Sequence, residues 1–585
     1  MKKNITIPLI FTIIGLAMVG IAIFADRFGL DPSKGWGKMR IALLVFGFIL
    51  AFCAGLYWRF MDKMLNVMRR IQSALENHPI VAGVWRNQSI LYLSGSFKRY
   101  WSMFPILILV TLVYIWLISS GTWITWVSPT HYYADLARGF LKGNLYLPIK
   151  VNPSLLTSPN PWEPILIGRS QGPTDFSYFH GKYYLYWGPV PALLLVLIHP
   201  IISWRVGDLQ LLFGFLTGLF ILQSFLAVII WDRFFSSMPK YILWLSILLL
   251  GLACPATFML DNYNSARIYE AAITGGQFFL MSGFLMAISA LSHTGSCWRL
   301  VLAGTLWALA FGTRLILALP VGFMALTVAW WMLVKDGWSF KKVSRLIPLG
   351  VPLALGLVCL GWYNWARFGS ITESGYYYLL PSNMYYQKYY RELINPIFIP
   401  QNFYNYFLFP FSIHAQFPFF YAEIGYLKPI ISGYPLPSFY FSQKITGILY
   451  TVPFSLCALI PAVLYLNNLN RRNITQQLPK DDERRILNWA TLTLSGASLA
   501  VLGFLLCFFC LAMRYIEDAM PALIMLGIIG FWQGFQAFSH KSIWKWLYTS
   551  LGVVLAVISI ILSTLVALSV NQARFEILHF LSLTR

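Results

Sequence analysis

Acidic residues are scarce. There are 21 Asp and Glu against 43 Lys and Arg in 585 residues, and the four types together make up only 11% of the chain. That is too little charge to cover a water-soluble surface, so a soluble enzyme is excluded; at 58% hydrophobic residues, so is a disordered scaffold. The seven cysteines (53, 254, 297, 359, 457, 507 and 510) lie in or beside apolar stretches, and none lies in a long polar segment. No disulfide framework is indicated. The chain has no glycine-rich phosphate loop, no HExxH and no GxSxG, which removes nucleotide-driven, zincin and serine-hydrolase chemistry. It also shows no internal repeat of fixed period, against an inverted-repeat transporter.

What the chain has is apolar length. Uncharged runs near 20 residues recur, each long enough to cross ~30 Å of hydrocarbon as a helix, and a porin-type barrel does not read this way. The expectation is an all-α polytopic membrane protein with thirteen spans near 6–24, 41–58, 102–119, 209–230, 241–259, 272–292, 300–312, 316–334, 346–365, 446–466, 489–512, 518–536 and 546–570. With the N-terminus cytoplasmic, the inside segments are the ones dense in Lys and Arg, as the positive-inside rule requires. The net charge of +22 therefore orients the chain and meets anionic lipid; it does not point to nucleic acid. This topology treats Trp187 to Trp204, with Pro189, Pro191 and Pro200, as an interfacial or re-entrant helix. The pair 300–312 and 316–334 reads either as two spans or as one broken helix around Arg314.

Four regions follow: 1–101, two spans and a cytoplasmic segment with an amphipathic helix (MDKMLNVMRRIQSALENH); 102–365, a transmembrane core containing the first outer loop, 120–208; 366–445, a second outer segment; and 446–585, the C-terminal spans. Both outer segments are rich in Tyr, Trp, Pro and Gly and too long for simple connectors, so they are expected to fold and to carry function.

Most carboxylates lie outside or at the outer boundary, which biases acid/base chemistry outward. Cys507 and Cys510 form a CxxC within LLCFFCLA, where i and i+3 share a helix face and pack. His131 and His180 lack metal-ligand spacing. The tyrosine runs 376–378, 385–386 and 389–390 fit either sugar stacking or an interfacial girdle.

Several stretches occur in an order that resembles a known superfamily: YYADLARGFLKGNLYL, DFSYFHGKYYLYWGPVPALL, ARIYEAAITGG, FGTRLILALP, NWARFGSITESGYYY and MRYIEDAMPALIML. Together they resemble the membrane glycosyltransferases of the GT-C fold, among them protein O-mannosyltransferases and lipid A aminoarabinose transferases. Such enzymes take a sugar from a polyprenyl-phosphate carrier. The resemblance implies transfer to an acceptor glycan, lipid or protein at the outer face of a bacterial inner membrane, and it leaves the sugar and any metal open. Many members carry an acid pair just before the first of these stretches. Here that place reads Val127-Ser128-Pro129-Thr130-His131, without a carboxylate.

The transfer chemistry needs a carboxylate to take the acceptor's proton and cations to stabilise the leaving phosphate. The resemblance assigns Asp135, or else Asp175, as base, and Lys182, Arg314 and Arg514 as phosphate contacts. Glu270, Tyr184, Tyr515 and Asp518 support them. Each residue also has a plainer reading. Asp135 pairs with Arg138 at i+3, Asp175 caps a turn, Lys182 snorkels at the interface, Arg314 meets headgroups, and Arg514 pairs locally with Glu517 and Asp518. The rival functions are a transporter or flippase for a lipid-linked or anionic solute, and a catalytically silent scaffold of the same fold. The spans are nearly free of ionisable residues, which disfavours a transport pathway.

Overall fold

A computed structural model describes residues 6–23, 40–41, 43–48, 51, 100–124, 126–163, 176–200, 206–253, 268–292, 296–336, 344–380, 385–431, 435–470, 481–538 and 542–570. The chain forms two compact units, Met1–Arg99 and Tyr100–Arg585. The cytoplasmic amphipathic helix expected at 61–78, and most of the span expected at 41–58, lie outside the described residues.

In the first unit the helix Thr6–Ile23 packs against the segment around Gly47. A Cβ on Gly15 or on Gly47 would fall 2.7 Å from the other's carbonyl oxygen, so only glycine permits this approach. Arg40 donates to the carbonyls of Ala22 and Ile23 at 2.9 and 3.0 Å, satisfying acceptors that the helix end leaves open.

The second unit is a bundle of apolar helices. Seven helices have the length and apolarity of membrane spans: Asp208–Phe234, Ile268–Ser292, Leu315–Leu333, Ser344–Phe368, Arg485–Leu506, Met520–Ala537 and Ile543–Val570. Phe104–Ile118, Lys240–Leu252, Cys297–Thr313 and Pro453–Asn467 are apolar but shorter. The stretch around Arg314 is a true break between two helices. Arg314 is extended (φ −146°, ψ 111°), and the helix that follows packs on another partner, with Thr327 and Thr493 hydroxyls 3.0 Å apart. Lipid is as apolar as leucine, so close packing and scattered polar contacts hold such a bundle, each polar contact worth about 0.6 kcal/mol. Examples are Gln223 donating to the Pro521 carbonyl at 3.1 Å and Trp532 donating to Ser246 Oγ at 3.2 Å.

Tryptophans mark both rims. Trp362 and Trp365 are exposed near the end of Ser344–Phe368, while Trp298, Trp544 and Trp546 are exposed toward the opposite end, where Arg299 and Lys545 also lie.

The first loop-rich region carries the helix Tyr132–Leu141, the hairpin Ser177–Phe179 with Lys182–Tyr184, and the helix Val190–Ile198. The last of these has nine residues, about 14 Å of rise, too short to cross a bilayer and consistent with the interfacial reading.

The second loop-rich region reshapes the bundle rim. The span expected at 489–512 stops at Leu506, and Cys510–Leu511 is a strand paired in parallel with Phe441–Ser442. Cys507 and Cys510 therefore do not share a helix face. The helix gives way because the rim residues find partners in the second region. Asn402 Nδ2 donates to the carbonyls of Leu505, Leu506 and Phe508 at 2.9, 3.0 and 2.7 Å, and Phe509 N–H reaches Leu393 O at 3.0 Å. These bonds replace those the helix would have made.

Candidate functional site

The helix Cys297–Thr313 ends where a second backbone crosses it. Gly188 N–H donates to Thr313 O at 3.2 Å, and a Cβ on Gly188 would fall 2.0 Å from Gly312 O. The glycine lets the chain pass at this distance and turns Arg314 out of the helix. Arg314 meets Asp518, in the turn between Met513–Ile516 and Met520–Ala537. Its Nε lies 2.7 Å from both carboxylate oxygens, and its Nη2 lies 2.5 Å from Oδ2. Burial alone would lower the Arg314 pKa, but the facing carboxylate outweighs it and keeps the guanidinium charged. The turn itself is held by Gln277, whose amide Nε2 donates to the Asp518 carbonyl at 2.6 Å.

Arg514 lies in the short helix Met513–Ile516 just before this turn and is buried. Its guanidinium carbon lies 4.3 Å from the centre of the Tyr269 ring and 5.5 Å from that of Tyr515, and Arg314 lies 5.8 Å from the Tyr515 ring. The aromatic cluster continues from there. The Tyr186 hydroxyl donates to that of Tyr269 at 2.9 Å, Tyr186 stacks on Trp187 with centroids 4.0 Å apart, and its edge meets Tyr376 at 5.5 Å. Tyr376 then meets Tyr386 at 5.4 Å. Burial holds the Tyr376 hydroxyl well above its ordinary pKa, with neighbouring tyrosines adding to it, so it stays protonated. Glu270, next to Tyr269 on the first turn of its helix, and Glu517 are also buried. Residues from five separated stretches thus meet at one rim of the bundle.

Of the residues singled out in the sequence, Arg314, Asp518, Arg514 and Tyr515 come together, and Glu270 lies beside Tyr269. Asp135 sits on Tyr132–Leu141 and pairs with Arg138, an i,i+3 contact. Lys182 is exposed on its hairpin, with Nζ 4.3 Å from the centre of the Tyr146 ring. Tyr184 is buried, 5.2 Å from the Phe368 ring, and burial raises its pKa. Asp175 lies outside the described residues. Among the described residues no cluster of His, Cys, Asp and Glu forms a metal site.

Three residues escaped the sequence reading. Asp208 opens Asp208–Phe234 and is fully buried. Its carboxylate accepts from Thr130 Oγ1 at 2.5 Å and from the backbone N–H groups of Tyr132 and Tyr133 at 3.0 and 3.2 Å. It caps the helix Tyr132–Leu141, so a carboxylate from another span stands beside the acid-free stretch 127–131. Tyr133 is buried within reach of the charges of Asp208 and Arg314, which ties this helix to the site. Arg367 is buried at the end of its span, its guanidinium 3.8 Å from the Tyr363 ring centre. The readable signal for Arg367 was a charge at the edge of a long apolar run.

No protein-family model matches the chain, and no curated protein matches it. Among solved structures it is similar to the apo form of the Archaeoglobus fulgidus oligosaccharyltransferase, with 14% identity and a TM-score of 0.40, over 82% of this chain and 56% of that one. It is also similar to the archaeal oligosaccharyltransferase AglB from Archaeoglobus fulgidus in complex with an inhibitory peptide and a dolichol-phosphate. There the identity is 12% and the TM-score 0.37, with coverage again 82% and 56%. The chain thus spans little more than half the length of these structures.

Proposed function

We propose that the chain is a membrane glycosyltransferase that moves a sugar from a polyprenyl-phosphate carrier to an acceptor glycan, lipid or protein at the loop-rich rim, on the outer face of a bacterial inner membrane. The observation that carries this reading is the convergence of Arg314 and Arg514 with Asp518 and a wall of tyrosines, at the edge of spans otherwise poor in charge. Buried charges at a membrane boundary are costly and mark a site of use.

In the reaction, the bond from the anomeric carbon to the phosphate oxygen breaks as the bond to the acceptor oxygen or nitrogen forms. The electron pair leaves with the phosphate, where the guanidinium groups of Arg514 and Arg314 stabilise it. The acceptor's proton passes to a carboxylate, assigned to Asp135, with Asp175 as the alternative. Tyr186, Tyr269 and Tyr376 offer ring faces to the sugar. Asp518 orients Arg314.

The test uses full-length protein in nanodiscs with a radiolabelled polyprenyl-phosphate sugar. Free polyprenyl phosphate and labelled acceptor are expected, and both are expected to be lost in Arg514→Gln. Movement of the intact lipid between leaflets without release would establish a flippase in place of the transferase. Full turnover in both Asp135→Asn and Asp175→Asn would remove the base assignment.

A further inference from the structure

Residues 393–422 contain no Asp, Glu, Lys or Arg, although they belong to the segment expected to lie outside the membrane. A water-soluble domain carries about one charged residue in four. The first element of this stretch, the helix Ile399–Phe403 continued by the π-helical turn Tyr404–Leu408, is polar on the wrong side for water. Gln401, Asn402 and Asn405 are buried against the protein, while Ile399, Phe403 and Leu408 are exposed. Asn402 is 0% exposed and Phe403, the next residue, is 47% exposed. Phe403 stacks on Phe407, with ring centroids 5.0 Å apart.

The buried amides are all engaged. Besides its bonds to the rim carbonyls of Leu505, Leu506 and Phe508, Asn402 accepts from the Tyr440 hydroxyl at 2.7 Å. Asn405 donates to the carbonyls of Gln401 and Tyr426 at 2.9 and 3.0 Å and accepts from Tyr426 N–H at 2.7 Å. Gln401 donates to the Tyr426 carbonyl and accepts from Ile430 N–H at 3.2 Å. Irregular backbone at 426–430 and 505–508 is thereby satisfied from inside the protein, as it must be at membrane depth. A helix in water turns its polar residues out, and a helix in hydrocarbon turns them in.

The neighbours extend the apolar face. Asn402 ties the helix to the last turn of Arg485–Leu506, and Phe409 O accepts from Gly447 N–H at 2.7 Å, where the chain approaches Pro453–Asn467. Both of these helices expose aliphatic side chains, Leu492 and Leu499 on the first and Leu456, Leu459 and Val463 on the second. The hairpin of Ser412–Ile413 with Phe420–Tyr421 follows, exposing Ile413 and Phe419. It leads to Ala422, whose N–H reaches Ser569 Oγ at 3.4 Å near the end of Ile543–Val570. The apolar surface therefore borders three helices that themselves turn side chains to lipid.

We propose that Ile399–Leu408 is a lipid-inserted helix, with Ile399, Phe403 and Leu408 among the acyl chains of the leaflet at the loop-rich rim. The second loop-rich region is then anchored in the bilayer. Its two elements of five residues each give at most about 15 Å of rise, the depth of one leaflet. Through Asn402 the helix holds Phe508, whose ring centroid lies 6.0 Å from that of Tyr515, so the anchor bears on the turn beside Arg514. The inference does not depend on the transfer reading.

The test uses full-length protein in phosphatidylcholine nanodiscs that contain a phosphatidylcholine with a diazirine at the end of one acyl chain. After irradiation, peptide mass spectrometry of the unmodified chain is expected to find lipid adducts within 399–408. Phe403→Cys and Leu408→Cys, both at exposed positions, are expected to react with a water-soluble maleimide at least about tenfold more slowly than the exposed Glu392→Cys, because a thiol in an apolar medium resists ionisation. Unfolding in detergent is expected to bring the three rates together. Reaction of both variants at the Glu392→Cys rate in nanodiscs would show a water-facing helix and overturn the proposal. Protection without lipid adducts would assign the face to a neighbouring protein chain and overturn it as well.

Discussion

Arg314 and Asp518, 204 residues apart in the chain, are joined through three N–O contacts of 2.5 to 2.7 Å. One belongs to a break between two helices and the other to the turn before a third, so a single ion pair ties three helices together at the rim. Sequence distance hides this pairing, and local reading gives Asp518 to Arg514 instead.

Breaking the pair from one side is expected to be costly. Arg314→Leu or Asp518→Leu leaves a buried charge without its partner, which typically costs about 3–5 kcal/mol. The double replacement is expected to recover most of the stability and none of the transfer activity. Thermal unfolding of the three variants in detergent, read as a double-mutant cycle, checks this.

Gly188 is expected to be intolerant of a side chain. A Cβ there lies 2.0 Å from Gly312 O, so Gly188→Ala must shift the backbone that sets Arg314. Activity is expected to fall at least about tenfold in protein that still assembles, since small misplacements of positioned groups carry such losses. Gly322→Ala, where a Cβ meets nothing within 4 Å, is the control and is expected to keep its activity.

The rim tyrosines define an alkaline limit. Burial raises the hydroxyl pKa of Tyr376 and Tyr406 well above the ordinary value in the folded protein, whereas in the unfolded chain they ionise near ~10. The folded state holds these protons more tightly, so their stabilising contribution is full below pH ~10 and is lost as pH climbs above it. Tyr376→Phe and Tyr406→Phe are each expected to flatten the fall in Tm above that pH. An unchanged slope in both would show that other groups set it.

Cys510 is expected to be inert. Burial pushes its thiol up to about 12, and its strand pairing holds it inside the rim. Maleimide at pH 8 is expected to label the exposed Cys297 in the native protein and to reach Cys510 only after unfolding, which peptide mass spectrometry resolves.

Much of the bundle was legible because lipid demands long apolar helices, a constraint written in composition. Most of the expected runs from residue 102 onward correspond to one helix each, while 446–466 is broken into Ile448–Thr451, a 3-10 stretch Pro453–Leu459 and Ile460–Asn470, and only seven of the helices described have the length and apolarity of a span. The helix Val190–Ile198 falls within the proline-bearing stretch 187–204 read as interfacial or re-entrant, and its nine-residue length is seen only in the structure. The early stop at Leu506 was not legible, because it depends on Asn402 and Leu393 arriving from about a hundred residues away to take over the carbonyls and N–H groups. The site was partly legible. Arg314, Arg514 and Asp518 stood out as charges between apolar runs. Asp208 reads as an ordinary first residue of a helix, and only tertiary structure shows it capping Tyr132–Leu141 beside the acid-free stretch.

The central claim is that the rim holding Arg314 and Arg514 receives a lipid phosphate, and a cryo-EM map of full-length protein in nanodiscs with a non-hydrolysable polyprenyl-phosphate sugar tests it most directly. The account predicts phosphate density within hydrogen-bond reach of Arg514 or Arg314, with the prenyl chain leaving toward Leu315 and the sugar against Tyr186. Headgroup density at the opposite rim, near Arg299 and Lys545, would contradict it.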